Sequence, residues 1–107
     1  MGACEFVNEG MGKYSKDVFS RIVLSATHEY GHDSYNGTIS TCDSYKMVEL
    51  PSRRNVKKFI ENRLEKMDKW DCECIELPKT ATSKWKAEHN LKGKKGKVFV
   101  FYGVAAY

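Results

Sequence analysis

Lys97-Val98-Phe99-Val100-Phe101-Tyr102 is the most strand-like stretch of the chain. It joins β-branched and aromatic residues, the types that fit an extended, half-buried backbone best. Since neighbouring side chains of a strand point to opposite faces of the sheet, this stretch would be apolar on both faces. The pattern therefore predicts a central β-strand near the end of the chain.

Two segments upstream of this strand have helical periodicity. The first starts near Ser15 or Asp17 and is expected to end near Tyr30, because Gly31 and the turn residues after it stop a helix. Its apolar stripe is formed by Val18, Phe19, Ile22, Val23, Ala26 and Tyr30. The second helix follows Pro51, with Ser52 as its expected N-cap. Its stripe is formed by Val56, Phe59, Ile60, Leu64 and Met67.

Four shorter segments are also expected to be strands. They are Ala3 to Val7, Thr38 to Cys42, Tyr45 to Leu50 and Cys72 to Leu77, while residues 79–90 suggest a loop with a short helical turn around Trp85. The predicted order is β-α-β-β-α-β-β. This order predicts an α+β fold, with a mainly antiparallel sheet of four to five strands and two helices on one face. At 107 residues, the chain is expected to be a single domain over residues 1–107.

Composition narrows the class of protein further. No run of about 18 apolar residues is present, so no membrane partner is expected. The first residues lack the charged and apolar regions of a signal peptide, which predicts a cytoplasmic location.

Four cysteines are few for a disulfide framework, and free thiols are expected. In Cys72-Glu73-Cys74 both sulfurs would lie on one face of a strand.

His28-Glu29-Tyr30-Gly31-His32 fits the HExxH pattern of zinc peptidases. On one continuous helix, His28 and His32 would share a zinc ion and Glu29 would be the general base. Gly31 argues that the helix ends before His32 aligns with His28. The third-ligand positions of the metzincin pattern are missing, because Tyr35 and Thr38 stand where glycine and histidine are required. A zinc-dependent hydrolase is therefore the alternative hypothesis, and the leading one has no metal, cofactor or catalytic residue.

A second resemblance covers the chain from about Val18 onward. Residues 29–39, Glu29-Tyr30-Gly31-His32-Asp33-Ser34-Tyr35-Asn36-Gly37-Thr38-Ile39, resemble the EYGHxGYTGTI signature of small bacteriophage proteins. The match is partial, since Asp71-Cys72 replaces a Gly-Pro pair and Val104 replaces a tryptophan of that family. The resemblance implies a small phage protein that acts on host machinery, for example as an inhibitor of restriction or CRISPR nucleases.

The candidate binding residues fall in two groups. His32, Tyr35, Asn36 and Gly37 form a polar turn whose backbone amides could hold a phosphate. Trp85, Lys94, Lys95 and Lys97 form an aromatic and basic surface. Lys95 to Tyr102 also partly fits the RNP1 pattern of RNA-binding domains, with Phe99 and Tyr102 at aromatic positions, although a packed core strand explains the same residues.

We therefore predict a binding protein that antagonises a host function, with a nuclease-based defence such as CRISPR–Cas as the expected target. Its expected partner is a host protein or nucleoprotein complex, with nucleic acid or a nucleotide as further possibilities. A zinc-dependent hydrolase is the first alternative and a small nucleic-acid-binding module is the second. The sequence does not indicate an oligomeric state.

Overall fold

The computed structural model describes residues 3–30, 37–39, 42, 44–50, 55–91 and 95–106. Within them, strands and helices alternate along the chain. They are β1 (Ala3–Gly12), α1 (Ser15–Tyr30), β2 (Lys46–Met47), α2 (Val56–Leu64), β3 (Cys72–Glu76), α3 (Lys79–Glu88) and β4 (Lys97–Ala106). The four strands form one sheet in the order β1-β4-β3-β2. The α+β class and a sheet of four strands are thus confirmed.

The sheet is mixed. β4 pairs antiparallel with β1 on one side and with β3 on the other, which places the predicted central strand at the centre. β2 pairs parallel with β3, through Lys46 opposite Glu73 and Met47 opposite Cys74. In the predicted Thr38 to Cys42 strand, Ile39 instead lies in a 3₁₀ turn and the Cys42 amide bonds the Ile39 carbonyl at 2.9 Å. The chain crosses from β2 to the parallel strand β3 through α2, the helix that the sequence predicted between them.

The helices cover both faces of the sheet, which corrects the expectation that they share one face. Phe99, Phe101 and Ala105 of β4 pack with Val18 and the rest of the α1 stripe. Val98, Val100 and Tyr102 of β4 pack on the opposite face with Ile60 and Leu64 of α2, and α3 contributes Ala81 and Trp85 there. A strand that is apolar on both faces needs cover on both faces, so the composition of β4 already implied this arrangement.

The described side chains of both helix stripes pack on the sheet as predicted. The α2 N-cap is Asn55, whose Oδ1 accepts a hydrogen bond from the Lys58 amide at 3.1 Å. Ser52, the expected cap, lies outside the described residues. Residues 79–88, expected to be mostly loop, form the helix α3. Among the described residues, no helix is long and apolar enough to cross a membrane.

β1 is longer than the predicted Ala3 to Val7 strand, since it continues to Gly12. Gly10 and Gly12 lie in the strand because α1 packs directly on it. A Cβ at either position would come within 2.6 Å of the Val18 side chain. The two glycines therefore permit the close approach of α1 to the sheet.

Candidate functional site

A cleft of about 620 Å³ opens between α2 and α3, and we refer to it as the α2–α3 cleft. Apolar side chains from both helices and from the sheet line it: Val56, Ile60, Leu64, Leu77, Ala81 and Val100. Its charged lining residues are Glu9, Lys57, Glu61, Lys84 and Glu88. Binding surfaces commonly have an apolar floor and a polar or charged rim. The floor provides binding free energy, and the rim fixes the orientation of the partner.

The α2–α3 cleft reaches the edge of the sheet at β1. Val7 lines the cleft and is 50% exposed, although it is a large apolar residue in the middle of a strand. The Trp85 indole donates a hydrogen bond from Nε1 to the Glu9 carboxylate, which ties α3 to β1. The Trp85 ring stacks on His89 with a centroid distance of 4.0 Å. Trp85, predicted as an exposed binding residue, is thus a half-buried part of the cleft wall.

A second cleft, of about 570 Å³, lies on the other face between α1 and β1, and we call it the α1 cleft. Its polar lining includes Asn8, Arg21, Ser25 and Glu29. Gly37, a predicted binding residue, also lines the α1 cleft and has a φ of 75°, a left-handed conformation that glycine adopts without strain. Both clefts are therefore bordered by the same strand, β1.

The remaining predicted binding residues are not brought together by the described structure. His32, Tyr35, Asn36 and Lys94 lie outside the described residues. Lys95 is exposed, and Lys97 is exposed with its Nζ 3.4 Å from Glu76 Oε1. Lys95 and Lys97 are therefore solvated, and the exposed ion pair of Lys97 contributes little free energy.

The zinc hypothesis rests on residues at the end of α1. His28 and Glu29 are both exposed in the last turn of α1. His32 lies outside the described residues, so the relative position of the two imidazoles is not described. Within the described ranges, no group of three His, Cys, Asp or Glu side chains is placed to hold a metal ion.

The partial RNP1 pattern does not form an RNA-binding surface. Phe99 packs with the α1 core and Tyr102 packs with the α2 core, so the two rings lie on opposite faces of the sheet. Both are buried, at 3% and 0% exposure. Base stacking requires exposed rings on one face, so this strand has a structural role.

Three of the four cysteines are buried beneath α1. Cys72 and Cys74 lie in one core cluster with Cys42, which confirms that the two sulfurs of the C-x-C pair share a face. A hydrogen bond with Cys42 and burial raise the pKa of the Cys72 thiol. Burial, with a smaller effect of Glu76, raises the pKa of Cys74 to about 12. A thiol with a raised pKa holds little of the reactive thiolate at neutral pH. The three buried cysteines therefore contribute to the packing of the core.

An ion pair anchors α2 to the sheet on the other face. Arg63 donates from Nε to Glu73 Oε1 at 2.9 Å and from Nη2 to Oε2 at 2.5 Å. The Tyr102 hydroxyl donates to Glu73 Oε1 at 3.0 Å. The hydrogen bonds from Arg63 hold the pKa of Glu73 below its usual range, although burial opposes this shift. Burial and the Glu73 carboxylate raise the pKa of Tyr102.

Comparison with family models, with curated proteins and with solved structures finds no match for this chain. The phage-type signature stays a prediction from the sequence.

Sequence reasoning missed the role of β1. Glu5, Val7 and Glu9 are exposed at the edge of the sheet, and Val7 and Glu9 also line the α2–α3 cleft. The signal in the sequence was weak: β1 contains neither lysine nor proline, the residues that often protect an edge strand. The lack of lysine and proline is informative only when the strand order shows that β1 lies at the edge of the sheet.

Proposed function

We propose that this protein acts by binding, as a phage-type antagonist of a host nuclease-based defence, and that the α2–α3 cleft is its binding site. The observation that carries the binding role is the apolar floor of the cleft, which lies beside the exposed Val7 and within a charged rim. The phage-type signature supplies the expected class of target. The site of action would be the cytoplasm of the host cell.

The apolar side chains that line the α2–α3 cleft are a source of binding free energy. Exposing apolar side chains to water is unfavourable by roughly 25 cal/mol for each Å². A cleft that leaves such surface open is therefore a ready source of binding free energy for a partner with a matching apolar side chain. Trp85 adds a rigid aromatic wall, a residue type that often dominates the energetics of interfaces.

The charged rim favours a protein partner over nucleic acid. The lining contains the acidic residues Glu9, Glu61 and Glu88 and the basic residues Lys57 and Lys84, so it has one more negative charge than positive. A surface that holds a phosphate backbone needs a net positive charge. A protein surface with apolar and basic side chains matches this rim.

The experiment places a glutamate in the cleft. Ala81→Glu introduces a charged side chain into the cleft lining, whereas Ala87→Glu makes the same change on an exposed position of the same helix. Bacteria with an active CRISPR–Cas or restriction system express each variant and are infected with a phage that the system targets. We expect the wild type and Ala87→Glu to restore plaque formation and Ala81→Glu to lose this effect.

Two results would contradict the proposal. If the wild type leaves plaque formation unchanged against both systems, the protein does not antagonise a nuclease-based defence. If Ala81→Glu is as active as the wild type, the α2–α3 cleft is not the binding site. Circular dichroism and thermal unfolding of both variants show that the comparison is made between folded proteins.

A further inference from the structure

β1 has an outer edge that no strand of the described residues covers. The strand order places β1 at one end of the sheet, and its ten residues pair with β4 alone. The opposite edge is formed by β2, which has two residues. A long open edge presents a row of backbone N–H and C=O groups to solvent and is a template for another strand.

The hydrogen bonds of β4 show which β1 residues face outward. The Val98 carbonyl accepts from the Leu77 amide at 2.9 Å, and the Val104 amide and carbonyl bond Asp71 and Trp70 at 3.0 and 2.7 Å. These groups of β4 therefore point toward β3 and away from β1. Val98 pairs with Met11 and Val104 pairs with Glu5.

Since antiparallel pairs alternate between bonded and non-bonded positions, the odd-numbered residues of β1 turn their backbone groups outward. One of them is already occupied, because Arg21 Nη2 donates to the Met11 carbonyl at 2.6 Å. The outward backbone groups of Glu5, Val7 and Glu9 face the open edge. The backbone groups of Phe6 and Asn8 face β4.

Proline, lysine and a β-bulge, three common protections of an edge strand, are missing along this stretch. β1 contains no proline and no lysine, and its register with β4 runs from Ala3 to Gly12 without a bulge. Arg21 covers the far end at Met11, and the edge from Ala3 to Gly10 carries no such cap among the described residues. Glutamates at positions 5 and 9 are the charged residues of the strand.

We propose that β1 receives an extended segment of the partner protein as a fifth strand of the sheet. This inference rests on the proposed function and names the binding mode at the same site. The incoming strand would pair with the outward groups of Glu5, Val7 and Glu9. Since its side chains alternate in direction, it would send one set into the α2–α3 cleft and the other toward the α1 cleft.

Charge complementarity defines the segment. Glu5, Val7 and Glu9 lie on one face of β1, so an added strand places three side chains opposite them at alternate positions. The matching pattern is basic, any residue, apolar, any residue, basic. The central apolar side chain would contact Val7 at the mouth of the α2–α3 cleft, and the two basic side chains would face Glu5 and Glu9.

The same charges disfavour a second copy of this chain as the occupant. If two β1 strands pair antiparallel about Val7, Glu5 of each copy faces Glu9 of the other. Like charges directly opposite one another destabilise a strand pair. The two glutamates therefore oppose self-association in this register while they attract a basic segment.

The test uses two synthetic peptides, TKTVTKT and TETVTET, which differ in the sign of the two charges. Amide hydrogen exchange is followed by NMR on the full chain at saturating peptide. With TKTVTKT, exchange at Glu5, Val7 and Glu9 is expected to slow at least about tenfold, the factor that 1.4 kcal/mol of added stabilisation gives. Exchange at Phe6 and Asn8, which already bond β4, is expected to stay unchanged.

Charge reversal provides the matched variants. Glu5→Lys/Glu9→Lys is expected to lose protection by TKTVTKT and to gain protection by TETVTET. Glu49→Lys/Glu65→Lys makes the same change of net charge at exposed positions outside the cleft and is expected to behave as the wild type. The gain with TETVTET cannot arise from a loss of folding, so the proposal stays testable if Glu9 supports α3 through Trp85.

Three results would overturn the proposal. The first is binding of TKTVTKT without slower exchange at the three outward amides, and the second is the absence of binding by either peptide. The third is a dimer in sedimentation whose three amides are already protected without peptide, which would assign the edge to a second copy. If the peptides fail while Ala81→Glu still abolishes plaque restoration, the cleft is the site without strand addition. If strand addition is seen without plaque restoration, the binding mode stands and the host target is wrong.

Discussion

Glu73 shows how one buried charge is held in this protein. Among the described residues, Glu73 is the charged residue that is buried, with an exposure of 9%. Its carboxylate accepts hydrogen bonds from Arg63 and Tyr102. A buried carboxylate is unfavourable unless its oxygens are paired, and here both oxygens are bonded. The pair fixes α2, which lines the α2–α3 cleft, against β3 and β4.

Replacing Glu73 with glutamine is expected to lower the free energy of unfolding by about 2 kcal/mol, because the amide leaves Arg63 without its charged acceptor. Chemical denaturation at neutral pH measures this loss. Glu76→Gln is the matched control on the same strand, since its ion pair with Lys97 is exposed. Its effect is expected to stay within about 0.5 kcal/mol. Equal losses for both variants would contradict the role of Glu73.

The same side chain predicts a pH dependence. The pKa of Glu73 is lowered in the folded state. The contribution of Glu73 to the free energy of unfolding is therefore complete above the pKa of a glutamate in the unfolded chain, about 4.3. That contribution is lost as the pH falls from there through the lower folded value. The wild type is therefore expected to lose stability below about pH 4 more steeply than Glu73→Gln. Denaturation series between neutral and acidic pH would show parallel curves if this is wrong.

At the scale of the elements, close backbone approach decides how the strands meet their neighbours. A Cβ on Gly103 of β4 would overlap the Asp71 carbonyl oxygen and lie 2.9 Å from the Phe6 ring. A Cβ on Gly10 of β1 would meet a side-chain methyl group of Val18 at 2.6 Å. Backbone cannot move aside as a side chain can, so the two glycines differ in how much change they tolerate.

Gly103→Ala is expected to destabilise the fold by about 3 kcal/mol, because the turn before β3 would have to separate from β4. Gly10→Ala is the matched comparison, with an expected cost of about 1 kcal/mol, because the Val18 side chain and α1 can shift slightly. Thermal and denaturant unfolding of the two variants measures the difference. A Gly103→Ala protein as stable as the wild type would contradict the close approach of Asp71.

At the scale of the whole molecule, the sheet divides the interior into two cores with different chemistry. The α1 side holds the three buried thiols, Cys42, Cys72 and Cys74. The opposite side holds the Arg63–Glu73–Tyr102 network and the floor of the α2–α3 cleft. Cys4 is exposed near the start of β1, outside both cores.

This division predicts the reactivity of the cysteines. In the native protein at pH 8, an aromatic disulfide reagent is expected to react quickly with one thiol, that of Cys4. The other three are buried, and the raised pKa values of Cys72 and Cys74 leave little reactive thiolate, so their reaction requires unfolding. Cys4→Ser should remove the fast phase. Two or more fast thiols in the wild type would contradict the buried cluster.

Much of the candidate site could not be predicted because its parts are distant in the sequence. Trp85 was predicted as a binding residue from its lysine neighbours, yet it contacts Glu9, 76 positions away. Val7 and Glu5 had no functional signal in the sequence, since a single strand does not show whether it lies at the centre or at the edge. The predicted residues His32, Tyr35, Asn36 and Lys94 fall outside the described residues, so the polar-turn hypothesis stays a prediction.

The sequence by itself determined the elements that depend on local periodicity: the two helix stripes, the shared face of Cys72 and Cys74, and the central position of β4. Side-chain alternation fixes which residues share a face, but it does not fix which strand lies beside which. The tertiary structure decided the strand order, the parallel pairing of β2 with β3 and the cover of both sheet faces. These depend on contacts between distant segments, and they turned β1 into an open edge between two clefts.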